Sequence, residues 1–536
     1  MQRNLFLGVE AIGQAAIDAG ISGVYAYPGT PSTEITEYIQ INKTAKERNI
    51  HRQWSANEKT AMEAALGMSY AGKRTMTCMK HVGLNVAADV YMNAAITGIN
   101  GGMVVAVADD PSQHSSQNEQ DSRFYGKFAL LPVFEPSNQQ EAYDMTYEAF
   151  EFSEKTGLPI MIRITTRLAH SRAGVVQKHL QQENRLKLPE NLMQFMLLPA
   201  YGRKYYQNLL NKQDWLVELS EESYHNKFLE GTDNSLGIVC CGIAFNYLME
   251  NYPDGNCPYP VVKVTQYPAP KKLLEKLEKE CDELLVIEEG YPIVEELLTD
   301  YFGKGTKVHG RLNGALPRRG ELNPGLVAGA LGKIHESDIQ APGSLVNRPP
   351  SLCAGCGHQD TYFALNEVVA EYGTGRVFSD IGCYTLGALP PYNSINTCVD
   401  MGASITMAKG AADAGLNPVF AVIGDSTFTH SGMTGLLDCV YENTNINIII
   451  VDNESVAMTG GQDSSAKGRI EDICEGMGVK PEHIRLFVPL KKNHEEIVQI
   501  LKEEVAYEGV SVIIGRRICI QKLSKIKKMN KTQKQD

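Results

Sequence analysis

The chain has 536 residues, which is too long for one core and predicts about three domains. Its formal net charge of −12 gives no reason to expect nucleic acid or an anionic membrane as a partner, because such surfaces would repel it. No apolar run approaches the roughly 20 residues that cross a bilayer, the N-terminus lacks a signal-peptide pattern, and twelve cysteines without a disulfide framework favour the cytoplasm.

Short apolar runs rich in β-branched residues alternate with stretches of helical period along the whole chain. This alternation predicts an α/β protein with parallel sheets covered by helices. The clearest strand candidates are 102–108, 237–243, 284–287, 419–423 and 447–451. A polar stretch over 177–234 and a Pro/Gly/Asn-rich stretch over 323–350 interrupt the pattern. We therefore predict α/β domains over 1–180, 181–335 and 336–520, followed by a basic, disordered tail over 521–536.

The first motif in the chain is the turn Tyr27-Pro28-Gly29-Thr30-Pro31. Two prolines fix this turn, which could hold the Thr30 hydroxyl and a helix N-terminus toward a carboxylate. A helix of small residues follows over 57–72, with Glu58 in its first turn. Taken alone, a glutamate at that position is favoured simply by the helix dipole.

Charged side chains in the next loops are candidates to bind a substrate carboxylate, because an anion in a partly dry cleft needs a cationic or N–H partner. These candidates are Lys80, His81, His114 and Arg123. A lone histidine or arginine in a loop is more often solvated or locally paired. Each of the four is therefore a separate hypothesis.

The most informative residues follow two predicted strands near the C-terminus. Gly424-Asp425-Ser426 ends one strand, and Asp452-Asn453-Glu454-Ser455 ends the next. Because the carboxyl ends of adjacent parallel strands meet at one edge of a sheet, Asp425 and Asn453 should emerge together. Such oxygen ligands suit the divalent cation that a bound diphosphate requires. The tripeptide alone could be a strand-ending turn, but the paired spacing favours a binding site.

These motifs resemble those of a known enzyme superfamily. Asp425 and Asn453 lie as in the thiamine diphosphate fingerprint, although Ser426 and Asp452 depart from its usual Gly and Asn. The turn 27–31 resembles the Tyr-Pro-x-Thr-Pro motif of 2-oxoacid:ferredoxin oxidoreductases. The segments 79–85, 109–123 and 380–387 are similar, more narrowly, to the large subunits of indolepyruvate:ferredoxin oxidoreductases. This resemblance runs from about residue 5 to about residue 519 and is weakest over 177–234.

The resemblance implies a domain order of pyrimidine-binding, transketolase-C-like and diphosphate-binding. It implies that thiamine diphosphate is bound through Mg²⁺, with the metal ligands Asp425, Asn453 and the main-chain carbonyl of Ser455, and with Gly424 and Ser426 beside the cofactor. Glu58 resembles the glutamate that hydrogen bonds to the aminopyrimidine ring, and Thr30 lies in a motif beside the substrate.

The implied reaction is oxidative decarboxylation of an aryl 2-oxoacid, such as indolepyruvate, to the acyl-CoA with reduction of ferredoxin. The implied assembly is a homodimer of this chain joined by a smaller β subunit in a heterotetramer. One alternative is a non-oxidative decarboxylase that releases an aldehyde. A non-catalytic relic is a third hypothesis, which the retained Glu58, Asp425 and Asn453 disfavour.

Electron transfer from this chain is where the sequence departs from the family. Large subunits usually end in a ferredoxin-like domain with two cysteine-rich cluster motifs, and no such motif follows Cys519. The expected exit is therefore through other groups or another subunit. Four cysteines resemble the ligands of one [4Fe–4S] cluster in related β subunits, namely Cys353, Cys356, Cys383 and Cys519. Free thiols and a zinc site are the alternatives.

Overall fold

A computed structural model describes residues 3–299, 307–333, 343–346 and 350–532. The chain divides into two compact units, 1–340 and 341–536. The first unit contains two large sheets and the second contains one, and helices alternate with the strands of each. The predicted α/β class with parallel sheets is therefore confirmed.

The N-terminal sheet has seven strands. From edge to edge they are Gln266–Tyr267, Val133–Phe134, Ile160–Thr165, Met103–Asp109, Thr75–Lys80, Gly23–Ala26 and His51–Trp54. All neighbours are parallel except Gln266–Tyr267, which pairs antiparallel with Val133–Phe134. Every residue of the strands at positions 75–80 and 103–109 is buried, as expected where helices cover both faces. A separate antiparallel ribbon pairs Arg3–Leu7 with Arg172–Val176.

The middle sheet belongs to the same compact unit. Its order is Lys307–His309, Glu283–Ile287, Gly237–Cys241, Val261–Val264 and Lys227–Leu229. The last strand is antiparallel, and the others run parallel. The stretch predicted to lack a good strand thus contributes this short edge strand, together with two helices, Pro199–Asn211 and Gln213–Glu221.

The other α-helices of the first unit connect these strands. They are Gly8–Asp18, Thr33–Ile41, Lys43–Glu47, Glu58–Tyr70, His81–Thr97, Arg123–Ala129, Gln139–Thr156, Thr166–His170, Ala244–Met249, Lys271–Glu280, Ile293–Leu298 and Pro324–Ala330. A 3₁₀ turn spans Pro111–Gln113. The helix Pro324–Ala330 occupies the start of the predicted linker, whereas the predicted boundary at 335 lies outside the described residues.

The C-terminal sheet has five strands, all parallel. Their order is Val377–Ser379, Phe420–Gly424, Ile446–Asp452, Val510–Arg516 and Ile484–Phe487. The strands of both units cover the five candidate segments named from the sequence, with ends that differ by one or two residues in most cases. A small antiparallel ribbon pairs Ser455–Val456 with Gln462–Asp463.

Helices surround this sheet as well. The α-helices are Gly357–Val369, Ala403–Asp413, Asp425–Thr427, Met433–Glu442, Ile470–Gly476, His494–Val505 and Ile520–Thr532. A π-helical turn spans Phe428–Gly432, and 3₁₀ turns span Cys383–Ala388, Ala457–Thr459, Pro481–His483 and Lys491–Asn493. The helix Ile520–Thr532 covers most of the tail that was expected to be disordered. Lys522 and Lys525 of this helix stabilise it by hydrogen bonds to the main-chain carbonyls of Glu454 and Gly460.

Two chain-wide features complete the fold. The twelve cysteines are all free thiols. Among the described residues, no helix has both the length and the apolar character that crossing a bilayer demands.

Candidate active site

Asp425 and Asn453 lie at one edge of the C-terminal sheet. The strands Phe420–Gly424 and Ile446–Asp452 pair in parallel, with Gly424 opposite Val451. Both strands therefore end at the same level, and the chain continues into Asp425 on one side and into the 452–455 loop on the other. The predicted meeting of these strand ends follows directly from the register.

Asp425 is buried and carries an unpartnered oxygen. Its side chain is 2% exposed, and burial together with the negative charge of Asp452 raises the pKa of Asp425 to about 7. Among the described residues, neither Asp425 Oδ2 nor the nearby Ser455 Oγ has a hydrogen-bond partner. Buried polar atoms are normally paired. Two unpaired oxygens beside a second carboxylate fit the oxygen-ligand site of a divalent cation.

The 452–455 loop has a fixed conformation. The Ser455 N–H donates to Asn453 Oδ1 at 2.9 Å, and the Glu454 N–H donates to Asp452 Oδ1 at 3.2 Å. The second carboxylate oxygen of Asp452 accepts from Arg516 Nε at 2.6 Å. Glu454 has a φ of 58°, in the left-handed region that non-glycine residues rarely adopt. Such conformations cluster at ligand sites.

A helix begins at the same edge. The α-helical turn Asp425–Thr427 continues through the π-helical turn into Met433–Glu442, so the N-terminal N–H groups of this segment open beside Asp425. Helix N-termini favour phosphate groups, and π-turns are frequent at functional sites. Ser426 is buried in the first turn. Gly424 is required here because a Cβ would lie 2.6 Å from Cε1 of Tyr384.

Four cysteines line a cavity of about 100 Å³ in the second unit, as the sequence resemblance implied that they would lie together. The cavity wall also includes His358, Asp452 and Asn453; its cysteines are Cys353, Cys356, Cys383 and Cys519. Burial, and next the neighbouring thiols, raises the pKa of Cys383 to about 12. Within the described part of the chain, no group of three or more His, Cys, Asp or Glu side chains is arranged to hold a single metal ion.

Glu58 lies against the helix His81–Thr97 in the first unit. It is 5% exposed and begins the helix Glu58–Tyr70, whose N-cap is Asn57. A Cβ added to Gly83 would lie 2.5 Å from Glu58 Oε1, so the carboxyl group occupies the space that a side chain at 83 would need. Glycine at position 83 therefore leaves the room that the Glu58 carboxyl group occupies. This glycine stands in the quoted family motif, but the sequence alone assigned it no role.

Lys80 and Thr30 are joined through Ser115. Lys80 Nζ donates to the Ser115 carbonyl at 2.5 Å, and Ser115 Oγ donates to the Thr30 carbonyl at 3.5 Å. Burial lowers the pKa of Lys80 to about 8, and the Asp110 carboxylate, 3.9 Å away, opposes this effect. The cationic group is thus held close to the 27–31 turn. Of the four predicted anion-binding residues, Lys80 fits that role best.

His81 follows Lys80 directly in the chain. It is the first residue of the helix His81–Thr97 and is 1% exposed. Its Nε2 lies 3.3 Å from the Asn118 carbonyl, while Nδ1 has no partner among the described residues. Burial lowers the pKa of His81, which favours the neutral ring. One neutral ring nitrogen therefore remains available to a ligand.

His114 and Arg123 contact other groups of the protein. His114 has a side chain that is 52% exposed and lies 3.5 Å from Glu321. Arg123 is buried, and its guanidinium donates to Asp121 and Glu288 and to the carbonyl of Tyr291. With its donors used within the protein, Arg123 has a structural position rather than the substrate-binding position predicted for it.

Comparison with known proteins identifies the family. Residues 14–225 match a family model described as pyruvate flavodoxin/ferredoxin oxidoreductase, thiamine diphosphate-binding. Residues 380–514 match the C-terminal binding domain of thiamine pyrophosphate enzymes. The indolepyruvate oxidoreductase subunit IorA of Archaeoglobus fulgidus is 39% identical, with 97% of this chain and 86% of the relative covered. The chain belongs to this IorA family. It is therefore the catalytic subunit of an oxidoreductase that uses thiamine diphosphate in oxidative decarboxylation of 2-oxoacids.

Other relatives agree. IorA subunits of Methanothermobacter marburgensis and Pyrococcus abyssi are each 37% identical over 97% of this chain, covering 87% and 86% of their own lengths. Among solved structures, a 2-oxoglutarate:ferredoxin oxidoreductase from Magnetococcus marinus has a TM-score of 0.50 at 15% identity. It covers 62% of this chain and 65% of its own. That likeness supports the fold.

Two residues of the second unit had no predicted role. His358 is 5% exposed and lines the four-cysteine cavity, and neither ring nitrogen has a partner among the described residues. Its place directly after Cys356-Gly357 was the available signal. Tyr384 packs against Gly424, and its hydroxyl forms a short hydrogen bond to Asp380. Nothing in the sequence indicates this contact, because the two glycines that admit the ring, at 382 and 424, are distant in the chain.

Proposed function

We propose that this chain converts an arylpyruvate, such as indolepyruvate, with coenzyme A into the acyl-CoA, carbon dioxide and reduced ferredoxin. The observation that carries the proposal is the 39% identity, over 97% of the chain, to a subunit named for indolepyruvate oxidation. The word subunit in that name supports a smaller partner chain. By the family resemblance, the assembly is a homodimer of this chain within a heterotetramer.

The cofactor site of the second unit is proposed at the sheet edge. Asp425, Asn453 and the main-chain carbonyl of Ser455 would hold Mg²⁺, and the N-terminus of the helical segment that begins at Asp425 would face the diphosphate. The unpartnered Asp425 Oδ2 and the raised pKa of that carboxyl support this assignment. A divalent cation would supply positive charge to Asp425, whereas its neighbour Asp452 is already paired with Arg516.

Glu58 is proposed as the carboxyl group that handles the proton of the cofactor's aminopyrimidine. Bound thiamine diphosphate supplies the nucleophilic carbon that attacks the ketone of a 2-oxoacid and accepts the electrons left by carbon dioxide. Glu58 would hydrogen bond to the pyrimidine ring and exchange a proton with it. Its burial against Gly83 keeps the carboxyl group away from solvent.

Lys80, His81 and Thr30 are proposed to bind the substrate. The ammonium group of Lys80 would attract the 2-oxoacid carboxylate, and a low exposure strengthens that attraction. The Thr30 hydroxyl would donate a hydrogen bond to the same carboxylate, whereas the unprotonated Nδ1 of the neutral His81 ring would accept one from an N–H donor of the ligand, such as that of an indole. His114 and Arg123 are left out of this set because each contacts other groups of the protein.

The four-cysteine cavity is the proposed start of the electron path. A [4Fe–4S] cluster takes four cysteine thiolates, one for each iron. It does not require several side chains to converge on a single ion, which the described residues do not offer. The cavity borders Asp452 and Asn453 of the proposed metal loop, so electrons would leave close to the cofactor.

The proposal is tested with protein purified without oxygen together with its partner subunit. We expect acyl-CoA and reduced ferredoxin from indolepyruvate at a higher kcat/KM than from pyruvate or 2-oxoglutarate. Glu58→Gln should retain thiamine diphosphate yet lose most turnover, since an amide cannot exchange the proton. Glu63→Gln is the matched control, because Glu63 lies on the same helix but is exposed and paired with Lys59. Preference for pyruvate, release of aldehyde alone, or full activity of Glu58→Gln would contradict the proposal.

A further inference from the structure

One short segment of the C-terminal unit contacts three of the four main-chain carbonyls of the 452–455 loop. The Arg517 N–H donates to the carbonyl of Asp452 at 2.9 Å, and the Cys519 N–H donates to that of Asn453 at 3.1 Å. Lys522 Nζ then donates to the carbonyl of Glu454 at 2.5 Å. Three successive carbonyls of the loop are thus occupied by the 517–522 segment. The next carbonyl, of Ser455, is the one that the proposed function assigns to the metal.

Lys522 makes the side-chain contact in this series, and it does so from an enclosed position. Its side chain is 12% exposed, and Nζ also donates to Asp463 Oδ1 at 2.6 Å. The hydrogen bond and charge of Lys522 lower the pKa of Asp463. Asp463 pairs with Ser455 in the small antiparallel ribbon. One ammonium group therefore joins both ends of the 454–463 hairpin.

The backbone conformation of the 452–455 loop needs contacts from outside the loop to stabilise it. Glu454 has a φ of 58°, which is unfavourable for a residue with a Cβ. A strained backbone persists only when its surroundings fix it. The carbonyl of Glu454 is the group that Lys522 grips, and Lys525 Nζ donates to the carbonyl of Gly460 further along the same hairpin. The helix Ile520–Thr532 thereby anchors the loop at two points.

We propose that Lys522 is a positioning residue, which fixes the 454–463 hairpin so that the Ser455 carbonyl can serve the metal of the cofactor site. The proposal rests on the proposed function for the identity of the ligand. The role of Lys522 in fixing the hairpin rests on its contacts with Glu454 and Asp463, whatever the ligand is. Since Lys522 touches neither cofactor nor substrate in this assignment, its loss should change metal affinity more than the chemistry.

The experiment compares Lys522→Ala with Lys522→Arg and with Lys527→Ala. Lys527 lies on the same helix, is exposed, and makes no hydrogen bond or ion pair among the described residues. Calorimetry of thiamine diphosphate binding at graded Mg²⁺ concentrations gives the metal dependence. We expect the Mg²⁺ concentration for half-maximal binding to rise about tenfold in Lys522→Ala, the loss of one charge-assisted hydrogen bond. Lys522→Arg should recover most of it, and Lys527→Ala should match the unmodified protein.

Hydrogen exchange of the cofactor-free protein is the second measurement. We expect faster exchange confined to the 454–463 hairpin in Lys522→Ala, with a thermal midpoint close to that of the unmodified protein. Unchanged exchange there, or loss of protection throughout the unit, would overturn this role of Lys522. If the unmodified protein binds thiamine diphosphate without any need for Mg²⁺, the proposed metal site fails, while exchange still decides the role of Lys522. Should the alanine variant not fold, an arginine variant with altered metal dependence or exchange would equally overturn the proposal.

Discussion

Replacing Arg123 by methionine should destabilise the first unit rather than weaken substrate binding. Its guanidinium donates to Asp121 at 2.5 Å and to Glu288 at 3.0 Å, and all three side chains are 0% exposed. The variant would leave Glu288 without this cation and Asp121 with only the more distant Arg163, at 3.8 Å. Methionine fills a similar volume without charge, so the effect is mainly electrostatic.

The size of the effect follows from these contacts. Burial by itself would raise the pKa of Asp121, but the guanidinium groups of Arg123 and Arg163 bring it to about 2. Compared with the ordinary value, that lowering corresponds to about 2 kcal/mol for the two guanidinium groups together, and Arg123 contributes the larger part. Adding the contact to Glu288, we expect a total loss of about 3–5 kcal/mol. The Asp121 share is present above the ordinary carboxyl pKa and is lost as the pH falls through about 2.

Urea unfolding at neutral pH, followed by circular dichroism, measures the loss. For Arg123→Met we expect the midpoint to fall by on the order of 1 M. Arg167→Met is the matched control: its side chain is 44% exposed and pairs with Glu321 at 2.9 Å, so at most about 1 kcal/mol should be lost. Equal midpoints for the two variants would refute the electrostatic reasoning. A stable Arg123→Met protein with a raised KM for the 2-oxoacid would return Arg123 to the substrate site.

Two further variants test the site itself. Gly83→Ala should displace the Glu58 carboxyl group and lower kcat by at least about tenfold with cofactor still bound. Gly67→Ala is the control and should keep full activity, because a Cβ at position 67 meets nothing within 4 Å. A normal kcat for Gly83→Ala would show that the position of Glu58 does not depend on Gly83. Cys383→Ser should abolish ferredoxin reduction and the brown absorbance of the proposed iron–sulfur cluster, yet spare the release of one equivalent of carbon dioxide from the 2-oxoacid. Cys398→Ser is the control, because Cys398 is exposed. A protein that contains no iron but still reduces ferredoxin would exclude the cluster.

Hydrophobic periodicity and the positions of strand ends predicted the fold class and the pairing of two site residues. Asp425 and Asn453 could be paired because parallel strands deliver their carboxyl ends to a common edge, which local pattern reveals. Arg123 could not be assigned in this way, since its partners Glu288 and Tyr291 are far along the chain and sequence pattern does not encode such contacts. A charged residue in a predicted loop is compatible with either a binding site or a buried ion pair.

The tail shows a different failure. Its many lysines and few apolar residues are typical of a disordered end. Ile520, Leu523 and Ile526 recur every three residues in a weak helical row, but Ile526 is 41% exposed, so this row does not account for the docking of the helix. Lys522 and Lys525 of this helix donate hydrogen bonds to main-chain carbonyls of the 454–463 hairpin. No sequence pattern predicts which main-chain carbonyl a lysine will contact.

The edge strand Gln266–Tyr267 limits where this chain can be truncated or recombined with a homologue. It completes the N-terminal sheet from a position more than a hundred residues after that sheet's other strands, pairing with Val133–Phe134. A gene fragment that stops before it would expose the unpaired edge of Val133–Phe134 to other chains. We therefore expect chimaeras of homologues that are joined between the two sheets to aggregate unless both strands of this pairing come from the same parent.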